Sequence, residues 1–378
     1  MEKRIYAKTG EKISLLGLGC MRLPRINPEA EPIDYAAAQE IVDYAYAHGI
    51  NYFDTAYMYH GGDSQVFIGQ ALKKYPRDSY ILTNKLPIWM AKDPADMERI
   101  FNDQLEKCQV DYFDFYLLHN MNKDSYAKSL EFGLYEFLKQ KKEEGKIGQL
   151  GFSFHDSPEL LRDIVGRFQW DFAQIQLNYL DWELQDAKQQ YEILTENHIP
   201  VVIMEPVRGG ALADLGEKAN AVLKEYAPDR SIASWALRFA ASLPNVLTVL
   251  SGMSSLEQIE DNVAKFEDFQ PLSDEEREVL AKALEIYKNK DRVPCTGCRY
   301  CMDCPSGVDI PAVFKIYNQY VSDRDTEAFL KAYDGLGEDA QAHNCVACGA
   351  FTEQCPQSID IPGKMAEISK LVAKKKSK

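Results

Sequence analysis

Apolar positions in the first 265 residues fall into two alternating textures. Short, near-continuous apolar runs such as Tyr112–Leu118, Phe172–Leu177 and Val201–Met204 alternate with longer stretches in which apolar residues recur every three or four positions. The first texture is that of strands buried on both faces, the second that of amphipathic helices. At the start, Ile5 and Tyr6 end a strand, Thr9–Lys12 turns and Ile13–Leu18 returns, which predicts a hairpin within residues 4–22. Next come helix Ala36–Ala47, stopped by Gly49, strand Ile50–Phe53, helix Ser64–Lys74, strand Tyr80–Asn84 and a helix opened by Pro94 with Asp93 as its cap. Strand Tyr112–Leu118, one long helix Ser129–Glu144 ended by Gly145, strand Gly148–Phe152 and helix Pro158–Arg167 follow. Strand Phe172–Leu177, helix Gln185–Asn197, strand Val201–Met204, helix Ile232–Ser242, strand Val246–Leu250 and helix Leu256–Lys265 complete the series. About eight β/α units in roughly 250 residues predict an α/β fold, a (β/α)8 TIM barrel with an N-terminal hairpin. A doubly wound sheet competes with it, but no G-x-G-x-x-G follows an early strand; Gly17-Leu18-Gly19 runs on into Cys20-Met21-Arg22.

The texture changes after Pro271. Ser273–Asn289 reads as one charged amphipathic helix packed on the barrel, and Asp291–Pro294 as a boundary. The expected domains are residues 1–290 and 291–378, the second small and mainly α-helical. Its basic end, Ala373–Lys378, reads as a solvated tail.

Composition narrows the chemistry. The chain has 378 residues, 46% hydrophobic and 27% charged, as a globular protein has. A net charge of -15 repels phosphate backbones, so nucleic acid is not an expected partner. No apolar run approaches the ~18 residues of a membrane span, and the opening residues hold no signal core, so the expected location is cytoplasmic. Nine cysteines are present, seven of them after residue 290. In a reducing compartment such density points to metal or redox chemistry rather than disulfides.

Three β/α units end in polar residues that apolar strands do not place by accident. Asp54 follows Phe53, with Tyr59 five residues on; Lys85 follows Tyr80–Asn84; His119 follows Tyr116-Leu117-Leu118. A lone His or Lys at a strand end is more often a packed or solvated residue. In an α/β barrel, however, the C-terminal strand ends converge on one mouth. A free tyrosine, with a pKa of about 10, is a poor acid at neutral pH. A neighbouring ammonium lowers that value, a carboxylate holds the ammonium, and a histidine donates to a substrate oxygen.

At these residues the chain resembles the aldo-keto reductase family, whose catalytic Asp, Tyr, Lys and His map in order onto Asp54, Tyr59, Lys85 and His119. The hairpin, expected to plug the barrel bottom, and Gly17–Leu23 match too, and the resemblance covers about residues 3–290. It implies hydride transfer between a nicotinamide cofactor and a small-molecule carbonyl or alcohol. Gln174 and Ser153 match residues that hold the nicotinamide amide; Phe154 stands where the family has Asn, and His155 follows. Met204 stands where many members stack an aromatic ring. Pro206, Val207, Gly209 and Gly210 fall on the loop that covers the pyrophosphate. Ser251–Asn262 matches the adenosine-phosphate loop, with Ser254, Gln258 and Asn262 as cofactor-binding candidates, though Ser254 or Ser255 also reads as an ordinary helix cap. Members that prefer NADPH carry Arg or Lys here. This chain has Gly252, Met253 and Gln258, with Glu257 and Asp261 nearby, which favours NADH; Arg208 is a candidate charge. Trp89, Trp182, Tyr57 and Met121 suggest an apolar mouth.

The C-terminal cysteines read Cys295-x2-Cys298-x2-Cys301-x2-Cys304-Pro305 and Cys345-x2-Cys348, then Cys355-Pro356. Cys-Pro-x-x-(Val/Ile)-Asp-Ile-Pro occurs at 304–311 and again at 355–362, an internal repeat. The pattern resembles ferredoxin-type [4Fe-4S] binding, C-x2-C-x2-C-x3-C-P, in which the Cys before Pro ligates the other cluster. That resemblance implies one cluster on Cys295, Cys298, Cys301 and Cys355. It leaves Cys304, Cys345 and Cys348 for a second, incomplete cluster, because Phe351 stands at the third Cys position; Glu353 or water is a candidate ligand. Tetrahedral zinc is the rival reading. Cys20 and Cys108 are expected in the core. Some bacterial and archaeal aldo-keto reductases are similar in carrying such a domain. A second function stays open, an electron-transfer protein passing electrons between its clusters and a ferredoxin-like partner through the barrel. A third is a nicotinamide-binding sensor.

Overall fold

Two strands, not one, form the returning arm of the N-terminal hairpin. In the computed structural model, which describes residues 1–27, 32–288, 291–302, 304–352 and 354–377, β1 (Lys3–Ile5) pairs antiparallel with β2 (Lys12–Ser14). β3 (Leu16–Gly19) then enters the barrel. The chain changes partners where Ser14 N donates to Asn51 Oδ1 (2.8 Å) and Asn51 N donates to Ser14 Oγ (3.0 Å), side-chain bonds that replace the hairpin ladder. The barrel continues through β4 (Tyr52–Asp54), β5 (Ile81–Pro87), β6 (Phe113–Met121), β7 (Ile147–Phe154), β8 (Phe172–Gln176), β9 (Val201–Met204) and β10 (Val246–Ser251). All eight strands are parallel, and β10 closes the ring on β3. The parallel α/β barrel read from the sequence is therefore present.

Tyr52, Phe115, Leu117, Phe172, Val202 and Leu250 fill the barrel together with Tyr6 and Ile13 of the hairpin. The plug is fixed by Tyr6, whose hydroxyl donates to Gln149 Oε1 at 3.0 Å and to the Asp171 carbonyl at 3.1 Å. Gly151 leaves room for Phe172: a Cβ there would lie 2.6 Å from both the Phe172 ring and its carbonyl oxygen.

The long helix expected at 129–144 is two helices, Lys123–Phe132 and Leu134–Glu143, broken at Gly133 with φ of 63°. Asn122 caps the first, accepting from Asp124 N and Ser125 N. Asp93 caps Pro94–Cys108 as expected.

Strands and most helices belong to one compact unit, Met1–Val207 with Ser234–Ser273. The other unit joins Arg208–Ala233 to the chain from Asp274 onward. Within it, helix Asp274–Tyr287, expected against the barrel, packs on helix Glu217–Tyr226, which the sequence reading missed. Arg230 pairs with Glu276, and Tyr226 Oη donates to Glu275 Oε2 at 3.3 Å. The C-terminal helices Ile310–Asp323, Thr326–Asp334 and Ile361–Lys376 enclose Phe314, Tyr317, Phe329, Tyr333, Met365 and Ile368. The basic end is not a free tail: it is helical to Lys376, whose Nζ lies 2.6 Å from Asp334 Oδ1. Lys378 lies outside the described residues. Among the described residues, no helix is long and apolar enough to cross a membrane.

Candidate active site and iron–sulfur segment

Strand alternation carries the barrel interior up to the mouth. Side chains two residues apart share a face. Tyr52 is interior, so Asp54 is too; Leu117 pairs with Lys85 and Gly151, and His119 lies two residues beyond. Phe172 is interior, so Gln174 is, and Ser153 pairs with it; Val202 brings Met204 to the same end. Asp54, Lys85, His119, Ser153, Gln174 and Met204 thus face one mouth.

Lys85 is fully buried, with Nζ 2.5 Å from Asp54 Oδ1 and donating to the Thr55 carbonyl at 2.8 Å. Burial pushes the Lys85 ammonium down and the Asp54 carboxyl up, and each charge opposes that push on the other. A brace of buried amides fixes the Lys85 backbone. Lys85 N donates to Asn84 Oδ1 (2.9 Å), while Gln104 Nε2 donates to Asn84 Oδ1 (3.0 Å) and to the Lys85 carbonyl (2.9 Å). Tyr116 Oη donates in turn to Gln104. Nothing in the spacing of Gln104 marks it as more than a polar helix position.

Tyr59 opens a short turn after β4 in which His60, Gly61 and Gly62 all have positive φ (52°, 63° and 97°). Two of the three are glycine, which takes that region freely. The turn brings the Tyr59 ring to 4.9 Å from Lys85 Nζ and its centroid to 6.2 Å from the His119 ring, edge-on. His119 also packs 5.0 Å from the Trp89 ring. Burial first, then Lys85 and His155, hold the His119 imidazole far below its ordinary range, so it is neutral at pH 7. His155 is likewise pushed down to about 4 by burial. Of the four apolar-mouth candidates, Trp89 has this contact with His119. Trp182 packs on Phe239 at 5.6 Å, Lys107 Nζ sits 4.7 Å from the Tyr57 ring, and Met121 is fully buried.

The nucleotide-loop candidates divide. Ser254 N donates to Gln258 Oε1 at 2.8 Å, Ser255 caps helix Leu256–Glu267, and Asn262 Nδ2 donates to Ser251 Oγ at 3.2 Å. Pro206 and Val207 end one unit, whereas Gly209 and Gly210 begin the other, both with positive φ. Arg208, also at positive φ (52°), donates through Nη2 to Gln357 Oε1 at 3.1 Å. A basic residue unflagged in the sequence reading lies beside the loop. Arg22 has its aliphatic chain near Gly252, its carbonyl accepting from Ser254 Oγ (2.7 Å) and its guanidinium 3.3 Å from Glu205 Oε1. Its place directly after β3 was the available signal.

In the C-terminal unit the Cys301 thiol is pushed up by burial and by Cys298, Cys295 and Cys355 nearby, the four residues expected around one cluster. The internal repeat extends to the backbone. Positive φ recurs at Gly297 and Ala347, at Arg299 and Gly349, and at Gly307 and Ser358, equivalent steps from the paired cysteines. Left-handed residues at these spacings turn backbone N–H groups into concavities that suit anionic iron–sulfur clusters; Gly297 N donates to Cys295 Sγ at 3.3 Å. Asp309 and Asp360 cap the two repeated helices, accepting from Ala312 N and Gly363 N. This donor set fits an iron–sulfur cluster. Among the described residues, no three His, Cys, Asp or Glu side chains converge as the ligands of a single metal ion. Glu353 lies outside the described residues. Cys20 and Cys108 are buried, and Cys108 Sγ accepts from Asn84 Nδ2 at 3.6 Å.

Comparisons with known proteins agree with this geometry. The aldo/keto reductase family model matches residues 15–285, and the 4Fe-4S dicluster domain model matches residues 294–359. The chain is 27% identical to the uncharacterized oxidoreductase YqkF of Bacillus subtilis (strain 168), across 77% of this chain and 98% of that protein. It is 26% identical to the L-galactose dehydrogenase of Arabidopsis thaliana, across 76% and 96%. Among solved structures, it is similar to a holo aldo-keto reductase from Bacillus halodurans, with a TM-score of 0.62, 28% identity, and coverage of 75% of this chain and 96% of that one. An aldo-keto reductase from Klebsiella pneumoniae in complex with NADPH has a TM-score of 0.60 and 25% identity, with coverage of 77% and 98%. The protein belongs to the aldo/keto reductase family and carries a 4Fe-4S dicluster domain after the barrel.

Proposed function

We propose that the barrel reduces a small-molecule carbonyl, or oxidises the matching alcohol, with NAD(P)H. The observation that carries this reading is the Asp54–Lys85 pair beneath the Tyr59 ring and beside a neutral His119. A bound nicotinamide supplies hydride to the carbonyl carbon. Tyr59 gives its hydroxyl proton to the carbonyl oxygen, Lys85 stabilises the resulting phenolate, and Asp54 holds Lys85 in place. His119 donates to the carbonyl oxygen and orients it. Gln174 suits the cofactor: its Oε1 is buried without a hydrogen-bond partner, an acceptor with no protein donor.

NADH is the favoured donor on this reading. Gly252, Met253 and Gln258 offer the adenosine end no cation; Arg22 is paired with Glu205, and Arg208 bonds Gln357. The iron–sulfur segment holds one [4Fe-4S] cluster on Cys295, Cys298, Cys301 and Cys355. Phe351 leaves the site of Cys304, Cys345 and Cys348 one thiolate short. A small-molecule carbonyl or alcohol is the substrate class expected, and a location in the cytoplasm accords with this cluster chemistry.

The test is reduced-nicotinamide oxidation by the holo chain with a panel of small aldehydes and ketones. Turnover that falls about 10²- to 10⁴-fold in Tyr59→Phe, with cofactor affinity kept, is the expected result. Turnover unchanged by that substitution rejects the reading.

A further inference from the structure

Gly151 and Ser153 face the barrel interior, and the same alternation carries His155 to that face. β7 ends at Phe154, but its ladder continues for one more bond: His155 N donates to the Met121 carbonyl at 3.0 Å. That bond keeps His155 in line with the strand, about 7 Å farther out along it than Ser153. Phe154, between them, turns the other way and packs its ring on Phe152, 6.3 Å apart.

His155 holds nothing together there. Among the described residues none hydrogen-bonds its ring, and burial alone pushes the imidazole down to about 4. The residue is half-buried, so part of it stays open to solvent at the mouth. A polar ring drawn largely out of water without a protein partner is costly unless a ligand supplies one.

Its neighbour is His119. Among the groups that hold His119 low is His155, so the two imidazoles lie within electrostatic reach of each other. β6, which carries His119, runs between β5 and β7. Directly after β5, in the turn Ile88–Met90, stands Trp89, whose ring lies 5.0 Å from that of His119. His119 is thus flanked by an apolar ring on the β5 side and by a second imidazole on the β7 side. Both imidazoles are neutral at pH 7, so they recognise by hydrogen bond rather than by charge.

We propose that His155 binds a second oxygen of the substrate, a hydroxyl or oxo group one or two carbons from the carbonyl that His119 orients. This rests on the carbonyl-reduction reading above. A hydroxycarbonyl or dicarbonyl compound meets the His155 imidazole with its oxygenated arm and Trp89 with the other. A plain alkanal or ketone strips water from the His155 ring and gives no hydrogen bond in return.

His155→Phe keeps the planar bulk and removes the hydrogen bond, whereas His155→Gln keeps a donor and an acceptor. The holo chain is assayed with isosteric pairs, glycolaldehyde against propanal and hydroxyacetone against butanone. Intrinsic reactivity differs within a pair but cancels when variant and wild type are compared. The kcat/KM ratio, oxygenated over plain, should fall about tenfold in His155→Phe and recover most of that in His155→Gln, with NADH affinity within about twofold of wild type. In the wild type itself, propane-1,2-diol should inhibit butanone reduction about tenfold more strongly than butan-2-ol. A ratio within about twofold of wild type in His155→Phe, a loss shared equally within each pair, or equal inhibition by diol and alcohol overturns the inference and leaves the reductase reading standing. Turnover of plain carbonyls only does the same, and a wild-type chain that turns over no carbonyl overturns both.

Discussion

Lys85 Nζ sits 4.9 Å from the centre of the Tyr59 ring, so a buried ammonium faces the phenol that the proposed reaction deprotonates. Its ion-pair partner is Asp54, with Oδ1 at 2.5 Å. Taking one member of such a pair away strands the other charge, at a cost of about 3–5 kcal/mol. Asp54→Ala should therefore lower the urea midpoint sharply. Replacing both residues, as Asp54→Leu with Lys85→Met, should recover much of that stability while activity stays absent. If the double variant is less stable than either single one, the pair is not governed by desolvation.

Stability should also fall on mild acidification. The unfolded chain's histidines protonate near pH 6.5, whereas His155 in the folded chain stays neutral until about pH 4. The unfolded state then binds more protons between those values, so stability is full above about pH 6.5 and is lost as pH falls toward 4. His119, held low by burial and Lys85, acts in the same direction. Denaturation curves at pH 7.5 and pH 5 check this, and His155→Gln should flatten part of the slope.

Iron and acid-labile sulfide on protein purified without oxygen should come to about four each per chain. Cys355→Ser and Cys301→Ser should abolish the cluster's visible absorption, whereas Cys348→Ser should leave most of it. Seven or eight irons would show that the Phe351 site recruits another ligand, and zinc without sulfide would reverse the cluster assignment.

Gly151→Ala places a methyl 2.6 Å from the Phe172 carbonyl oxygen, a backbone atom that cannot turn aside. Overpacking of this kind costs about 1–3 kcal/mol. The shift should be visible in the urea midpoint, and a Gly151→Ala chain as stable as wild type would mean that β7 and β8 separate more easily than their pairing suggests.

Asp54, Lys85 and His119 could be read from the sequence because a polar residue ending an apolar strand contradicts its surroundings. The barrel was legible through the same strands, but its first strand was not. Leu16–Gly19 continues the apolar run of the hairpin, and only the Ser14–Asn51 exchange reveals the change of partner. Gly133 was invisible as a break because one glycine inside a helical period is tolerated until its φ is known. Gln104 looked like an ordinary polar position. Its meaning lies in what it touches, the Asn84 side chain and the Lys85 carbonyl.

The bond between Arg208 and Gln357 spans 149 residues of sequence. It ties the segment leaving the last-but-one barrel strand to the residue two past Cys355, inside one compact unit. A shortened gene ending near residue 290 would keep helix Asp274–Tyr287 but delete Gln357, leaving that guanidinium without this acceptor. The iron–sulfur segment is thus no detachable cassette.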